Sequence, residues 1–243
     1  MTSPDDATAS EFVARLEAIA SKDEVEKVAR FFHGDGADGG AATRVLGVPI
    51  GKVFPVAKEF TEVSLDEIEM LLESPYYEVR MGAVSIMDFQ ARAKSTEPAH
   101  REALFDLYLR RHDRIDNWDL VDRAAPHVVG GWLFDRPRDV LYELAGSANP
   151  WERRTAIVST WYFIRSGQLE DTFRIAEILL HDEHELVRKA TGSWLREAGK
   201  RDPDRLVRFL EKHAATMPRT TLRYAVGKLE KHVRARLMRM KAG

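Results

Sequence analysis

HELVRKATG, residues 184–192, opens with a polar turn and then sets Arg188 just before small residues. The pattern recurs along the chain. YYEVRMGAV at 76–84, NPWERRTAI at 149–157 and TTLRYAVGK at 220–228 carry Arg80, Arg154 and Arg223 in the same setting. NWDLVDRAA at 117–125 fits the frame with Asp122 in place of the arginine. From Arg80 to Arg223 the successive steps are 42, 32, 34 and 35 residues. A period of this size belongs to helical repeats of two or three helices each, in which small residues let neighbouring helices approach closely.

The rest of the chain agrees. Apolar residues return at helical spacing, as in Ile68, Leu71 and Leu72, or Phe173, Ala176, Leu179 and Leu180. Turn-rich breaks separate these runs: AKSTEP at 93–98, GSANP at 146–150 and KRDPD at 200–204. The expected fold is all-α, an α-solenoid of HEAT-like helical repeats. Residues 1–10 are expected to be a disordered N-terminus and 11–243 a single repeat domain.

Cysteine is absent from the 243 residues, which removes disulfides and thiolate chemistry. The opening MTSPDDATASEFVARLEAIA is acidic and lacks the basic and long apolar parts of a signal peptide. No apolar stretch approaches the roughly 20 residues that span a bilayer. A soluble cytoplasmic protein without a membrane partner is expected. Net charge is only −2, yet residues 183–243 hold 16 Lys/Arg against 7 Asp/Glu. Charge segregated in this way can leave one face basic on a nearly neutral molecule.

Stacked repeats curve, and equivalent positions recur along the concave face. Repeat arginines pointing inward would form a row of planar donor forks suited to phosphate. Pairing with acidic residues between repeats is the other use open to them. Asp122 would break such a row with one carboxylate, and Trp118, four residues earlier, lies on the same helical face. A carboxylate beside an indole can steady an oxocarbenium-like sugar and orient water. The bland reading of the same pair is core plus salt bridge.

With these blocks in order, the chain resembles the AlkD-like family of DNA alkylation-repair glycosylases. The resemblance rests on VARFFHG and RVLGVP between 28 and 49, YYEVRMGAVSIM at 76–87, NWDLVDRAAPHVVGGWL at 117–133, NPWERRTAI at 149–157 and VRKATGSWLREAGKRDPD at 187–204. It implies a concave basic DNA-binding face and excision of cationic N3- or N7-alkylated purines from duplex DNA. It implies no cofactor or metal, because the lesion carries the activating charge. Asp122 matches the catalytic aspartate, Trp118 the tryptophan against the sugar, and Arg154 an arginine on the DNA backbone. Arg188, Arg196 and Arg223 are further DNA-binding candidates. The family's second tryptophan falls at Ser193, with Trp194 one residue late, a rotation of about 100° on a helix.

Two other readings stay open. One is a non-catalytic or weakly catalytic binder of damaged, bent or branched DNA. The other is a protein-binding scaffold. A bacterial, nucleoid-associated monomer is the expected state of the repair enzyme. Gly34–Gly39 matches G-x-G-x-x-G, but no βαβ unit surrounds it. His181–His184 lacks the spacing of a metal site and reads as a solvated turn.

Overall fold

The computed structural model describes residues 8–29 and 43–240. VARFFHG from residue 30 onward, the Gly34–Gly39 segment and most of the stretch 1–10 lie outside the described residues. The chain divides into two compact units, Met1–Trp132 and Leu133–Gly243.

The first unit holds α1 (Ala9–Glu17), α2 (Lys22–Ala29), α3 (Ile50–Glu59), α4 (Leu65–Leu72), α5 (Tyr77–Arg92), α6 (Pro98–Arg110) and α7 (Trp118–Ala125). The second holds α8 (Asp139–Ala145), α9 (Pro150–Ser159), α10 (Trp161–Arg165), α11 (Glu170–Ile178), α12 (Glu185–Gly199), α13 (Pro203–His213), α14 (Arg219–Ala225) and α15 (Lys231–Arg239). The fold is all-α, and among the described residues the only extended pairing is a single bridge between Arg44 and Tyr76.

The breaks read in the sequence are helix starts. Pro98, Pro150 and Pro203 each sit in the first turn, where a missing N–H costs nothing. Asn149 Oδ1 accepts from Trp151 N at 2.9 Å, and Asp202 Oδ1 from Arg205 N at 2.9 Å, satisfying donors that a helix cannot satisfy itself.

Each repeated segment opens a helix: α5, α7, α9, α12 and α14. In the first unit α5 packs against α7, and in the second α12 packs against both α9 and α14. Equivalent helices therefore lie side by side, as stacked repeats require. The small residues permit it. A Cβ on Gly192 of α12 would stand 2.4 Å from Thr221 O and 2.6 Å from Tyr224 Cβ on α14. Gly82 of α5 serves a different contact: a Cβ there would meet the ring of Phe12 on α1 at 2.2 Å.

Glu78, fully buried in the first turn of α5, fixes the chain before α3. Its carboxylate accepts from three successive backbone donors, Leu46 N at 3.0 Å, Gly47 N at 2.9 Å and Val48 N at 3.2 Å. Gly47 turns there with φ of +89°, a conformation that L side chains rarely adopt. Charge-assisted bonds of this kind outweigh neutral ones. They hold the start of α3 against α5, and α3 in turn supplies two walls of the site.

Candidate functional site

α7 is a two-faced helix. Leu120, Val121, Ala124 and Ala125 are buried, while Trp118, Asp119, Asp122 and Arg123 face a hollow of about 380 Å³. The other walls are Ile50 and Phe54 from α3 and Tyr77 and Met81 from α5. Trp118 and Asp122 thus share one side of the helix, as their spacing of four requires. The buried side chain of Asn117 accepts from Trp118 N at 2.7 Å and fixes the first turn.

At the far end of α7, Pro126 has no N–H to offer the Asp122 carbonyl. The helix widens there into one π-turn, Pro126–Gly130, closed by Gly131 N donating to Pro126 O at 3.1 Å. Such turns re-aim side chains and often accompany functional sites. This one carries His127 to within 2.7 Å of Asp88. Asp88, 1% exposed, also pairs with Arg123 at 3.0 Å and Arg92 at 3.3 Å. The Arg123 guanidinium lies 4.9 Å from the Phe54 ring centroid and 4.8 Å from that of Phe89. Arg123 is therefore a strut between α7, α5 and α3, and it shares Asp88 with Arg92 and His127.

A second carboxylate shares the hollow. Asp119 accepts from the phenolic OH of Tyr77 and, at 2.9 Å, from Leu120 N. Burial pushes its pKa up from the usual 3.8 to about 6. The two hydrogen bonds pull it down, and the neighbouring Asp122 charge raises it. Tyr77, 1% exposed, is held well above the ordinary phenol range, first by burial and then by Asp119. The site is thus an apolar-walled recess with one indole, two nearby carboxylates and the guanidinium of Arg123 at its edge. That environment favours a positive charge and disfavours another anion.

A family model described as DNA alkylation repair enzyme matches residues 12–229. The chain belongs to the DNA alkylation repair enzyme family. A solved structure titled "Predicted DNA alkylation repair enzyme from Enterococcus faecalis" shares the fold, with a TM-score of 0.66 and 16% identity. The match covers 87% of this chain and 97% of that one. No protein of curated function matches.

In this member of the repair family, the arginines of the repeated segments do more internal work than the sequence suggested. Arg80 is 3% exposed and pairs with Asp116 at 3.1 Å and Thr43 Oγ1 at 3.1 Å. Arg154, 5% exposed, donates to the Leu186 carbonyl at the start of α12. Arg188 is half-buried and donates to the Asp182 carbonyl. Arg196 meets Glu197 at 3.3 Å, and Arg223 stands exposed with Thr220 Oγ1 at 3.5 Å. Arg80 pairs with an acid beside the next repeated segment, Arg154 ties its helix to a carbonyl of the next repeat, and Arg188 braces the turn before its own helix.

Trp194 donates its Nε1–H to Val158 O on α9 at 3.0 Å, so its indole is tied to the neighbouring repeat helix. Ser193 is half-buried beside it. In the His181–His184 segment, the Asp182 carboxylate binds Arg153 at 2.6 Å and caps His184 N at 2.8 Å. That acid is engaged in joining α9 to the turn before α12. Among the described residues, no helix is long and apolar enough to cross a membrane.

Asp119 and Tyr77 are the site residues that sequence reasoning missed. Asp119 stood in plain view within NWDLVD. Its partner lies 42 residues away, and nothing local to either residue announces the pairing.

Proposed function

We propose that this repair-family protein is a DNA glycosylase that hydrolyses the N-glycosidic bond of cationic N3- or N7-alkylated purines in duplex DNA. The observation that carries the reading is the sharing of one recess by Asp122 and Trp118, in a chain of this family.

The chemistry follows from charge. An alkylated purine is cationic, so its C1′–N bond breaks with the electron pair leaving on the base, which becomes neutral. The sugar is left oxocarbenium-like. The Asp122 carboxylate stabilises that cation and orients a water molecule, whose oxygen bonds to C1′. The water's proton passes to the carboxylate or to solvent. The products are a free alkylated base and an apurinic site. Trp118 packs on the deoxyribose, where the face of an indole contributes roughly 0.5–2 kcal/mol toward a cation. No step needs a metal or cofactor.

Phosphate contacts fall to the cations of the second unit. Exposure puts Arg223 first, the half-buried Arg188 and Arg196 next, and the nearly buried Arg154 last. The working form in this reading is a cytoplasmic monomer on chromosomal DNA. Asp122→Asn removes one charge with almost no change of volume. It should lower base release by about 10²-fold or more while leaving DNA affinity nearly unchanged. Equal release by both proteins would reject the role of Asp122.

One observation favours a second reading, a binder of damaged DNA with weak excision. Trp194 is tied to Val158 O and Ser193 stands where the family's second tryptophan is expected. If a missing aromatic wall limits the enzyme, Ser193→Trp should raise release of small methyl adducts. No gain would remove that explanation.

A further inference from the structure

We propose that Asp119 is a positioning residue of this reaction: anchored by Tyr77, its negative charge reinforces the field of Asp122, and the site turns over fully only while Asp119 keeps that charge. The inference rests on the glycosylase reading and adds a residue to it.

The geometry comes first. Asp119 and Asp122 lie three residues apart on α7 and line the same recess. Residues three apart on a helix are neighbours. Asp119 is not loose there. One oxygen accepts from Tyr77, which is itself locked in the core, and the other from Leu120 N. A carboxylate fixed in this way holds its charge at a constant distance from Asp122 and from whatever cation forms in front of it. Fixed charge against apolar walls acts more strongly than the same charge in bulk solvent.

The cations near Asp119 have carboxylate partners of their own. Arg80 on α5 is paired with Asp116 of the preceding turn. Arg123 of α7 and His127 of the π-turn are engaged with Asp88. α3 contributes only the apolar side chains of Ile50 and Phe54 to the recess. Among the described residues, two carboxylates face the hollow against the one guanidinium of Arg123. Asp119 titrates near pH 6, well above an ordinary carboxylate, and Asp122 is one of the groups that raises it. As pH falls through 6, Asp119 takes up a proton and the recess loses part of its negative field.

The test is a set of single-turnover rates of base release from methylated duplex DNA between pH 5 and 9, for wild type, Asp119→Asn and Tyr77→Phe. Wild type should slow below about pH 6. Asp119→Asn keeps the size and still accepts from Tyr77, but it lacks the charge. Its rate at pH 8 should fall about tenfold with unchanged or tighter DNA binding, and its bend near pH 6 should vanish. The ratio of the two rates cancels any titration of the DNA itself. Tyr77→Phe removes a bond that lowers the Asp119 pKa, so its bend should move to higher pH.

An Asp119→Asn protein with the wild-type rate and bend would overturn the proposal, as would a Tyr77→Phe protein whose bend stays in place. The second variant decides the matter if the first does not fold. Loss of activity in Asp122→Asn with a wild-type profile in Asp119→Asn would reject this inference alone. Absence of base release by wild type would reject it together with the glycosylase reading.

Discussion

Asp119 costs the folded protein stability in exchange for its place in the recess. Folding raises its affinity for a proton, from a pKa of 3.8 to about 6. Above pH 6 the carboxylate is ionised in both folded and unfolded chains, and the folded chain bears the desolvation. As pH falls through 6 toward 4, the folded state takes up the proton first and the cost shrinks. Asp119→Asn should therefore raise Tm at pH 8 and do so much less at pH 5. Equal shifts at both values would mean that the charge is not the source. At this scale the sequence was partly legible. Trp118 and Asp122 declared themselves by their spacing of four, because a helix puts such residues on one face. Asp119 and Tyr77 did not, since their bond joins two helices and depends on packing that local pattern does not encode.

Helices α12 and α14 approach closely at Gly192. Gly192 of α12 has no space for a Cβ against Thr221 O, and a backbone atom cannot swing aside as a side chain can. Gly192→Ala should destabilise the protein by about 1–3 kcal/mol, read by urea unfolding. An unchanged midpoint would show that α12 and α14 have slack between them. The repeat pattern, the helix starts at Pro98, Pro150 and Pro203, and the close approach at small residues were all legible, because periodicity and capping are local properties. The use of the arginines was not. Arg80, Arg154 and Arg188 occupy the expected frame, yet their guanidinium groups reach Asp116, Leu186 O and Asp182 O. An arginine's helical position gives its direction from the backbone, while its partner at the end of a long side chain is set by whichever backbone or acid packs within reach.

For the whole molecule, the governing quantity is where charge lies. Residues 183–243 are strongly basic within a chain of net charge −2. On the proposed reading this segment supplies phosphate contacts, and each contact contributes to the dependence of binding on salt. Arg223→Ala should lower the slope of log affinity against log salt by about 1 without reducing Tm. Arg154→Ala should lower Tm instead, because it strips a partner from the Leu186 carbonyl. The opposite pattern would mean that exposure is a poor guide to phosphate contact here. On the proposed reading, a carboxylate beside an indole stabilises the sugar cation as its bond to the cationic base breaks. The most direct measurement is chromatography of free bases after purified protein is incubated with methylated duplex DNA. The account predicts free N3-methyladenine or N7-methylguanine, with an equal yield of apurinic sites. Tight binding to that DNA with no base released above the spontaneous rate would contradict it.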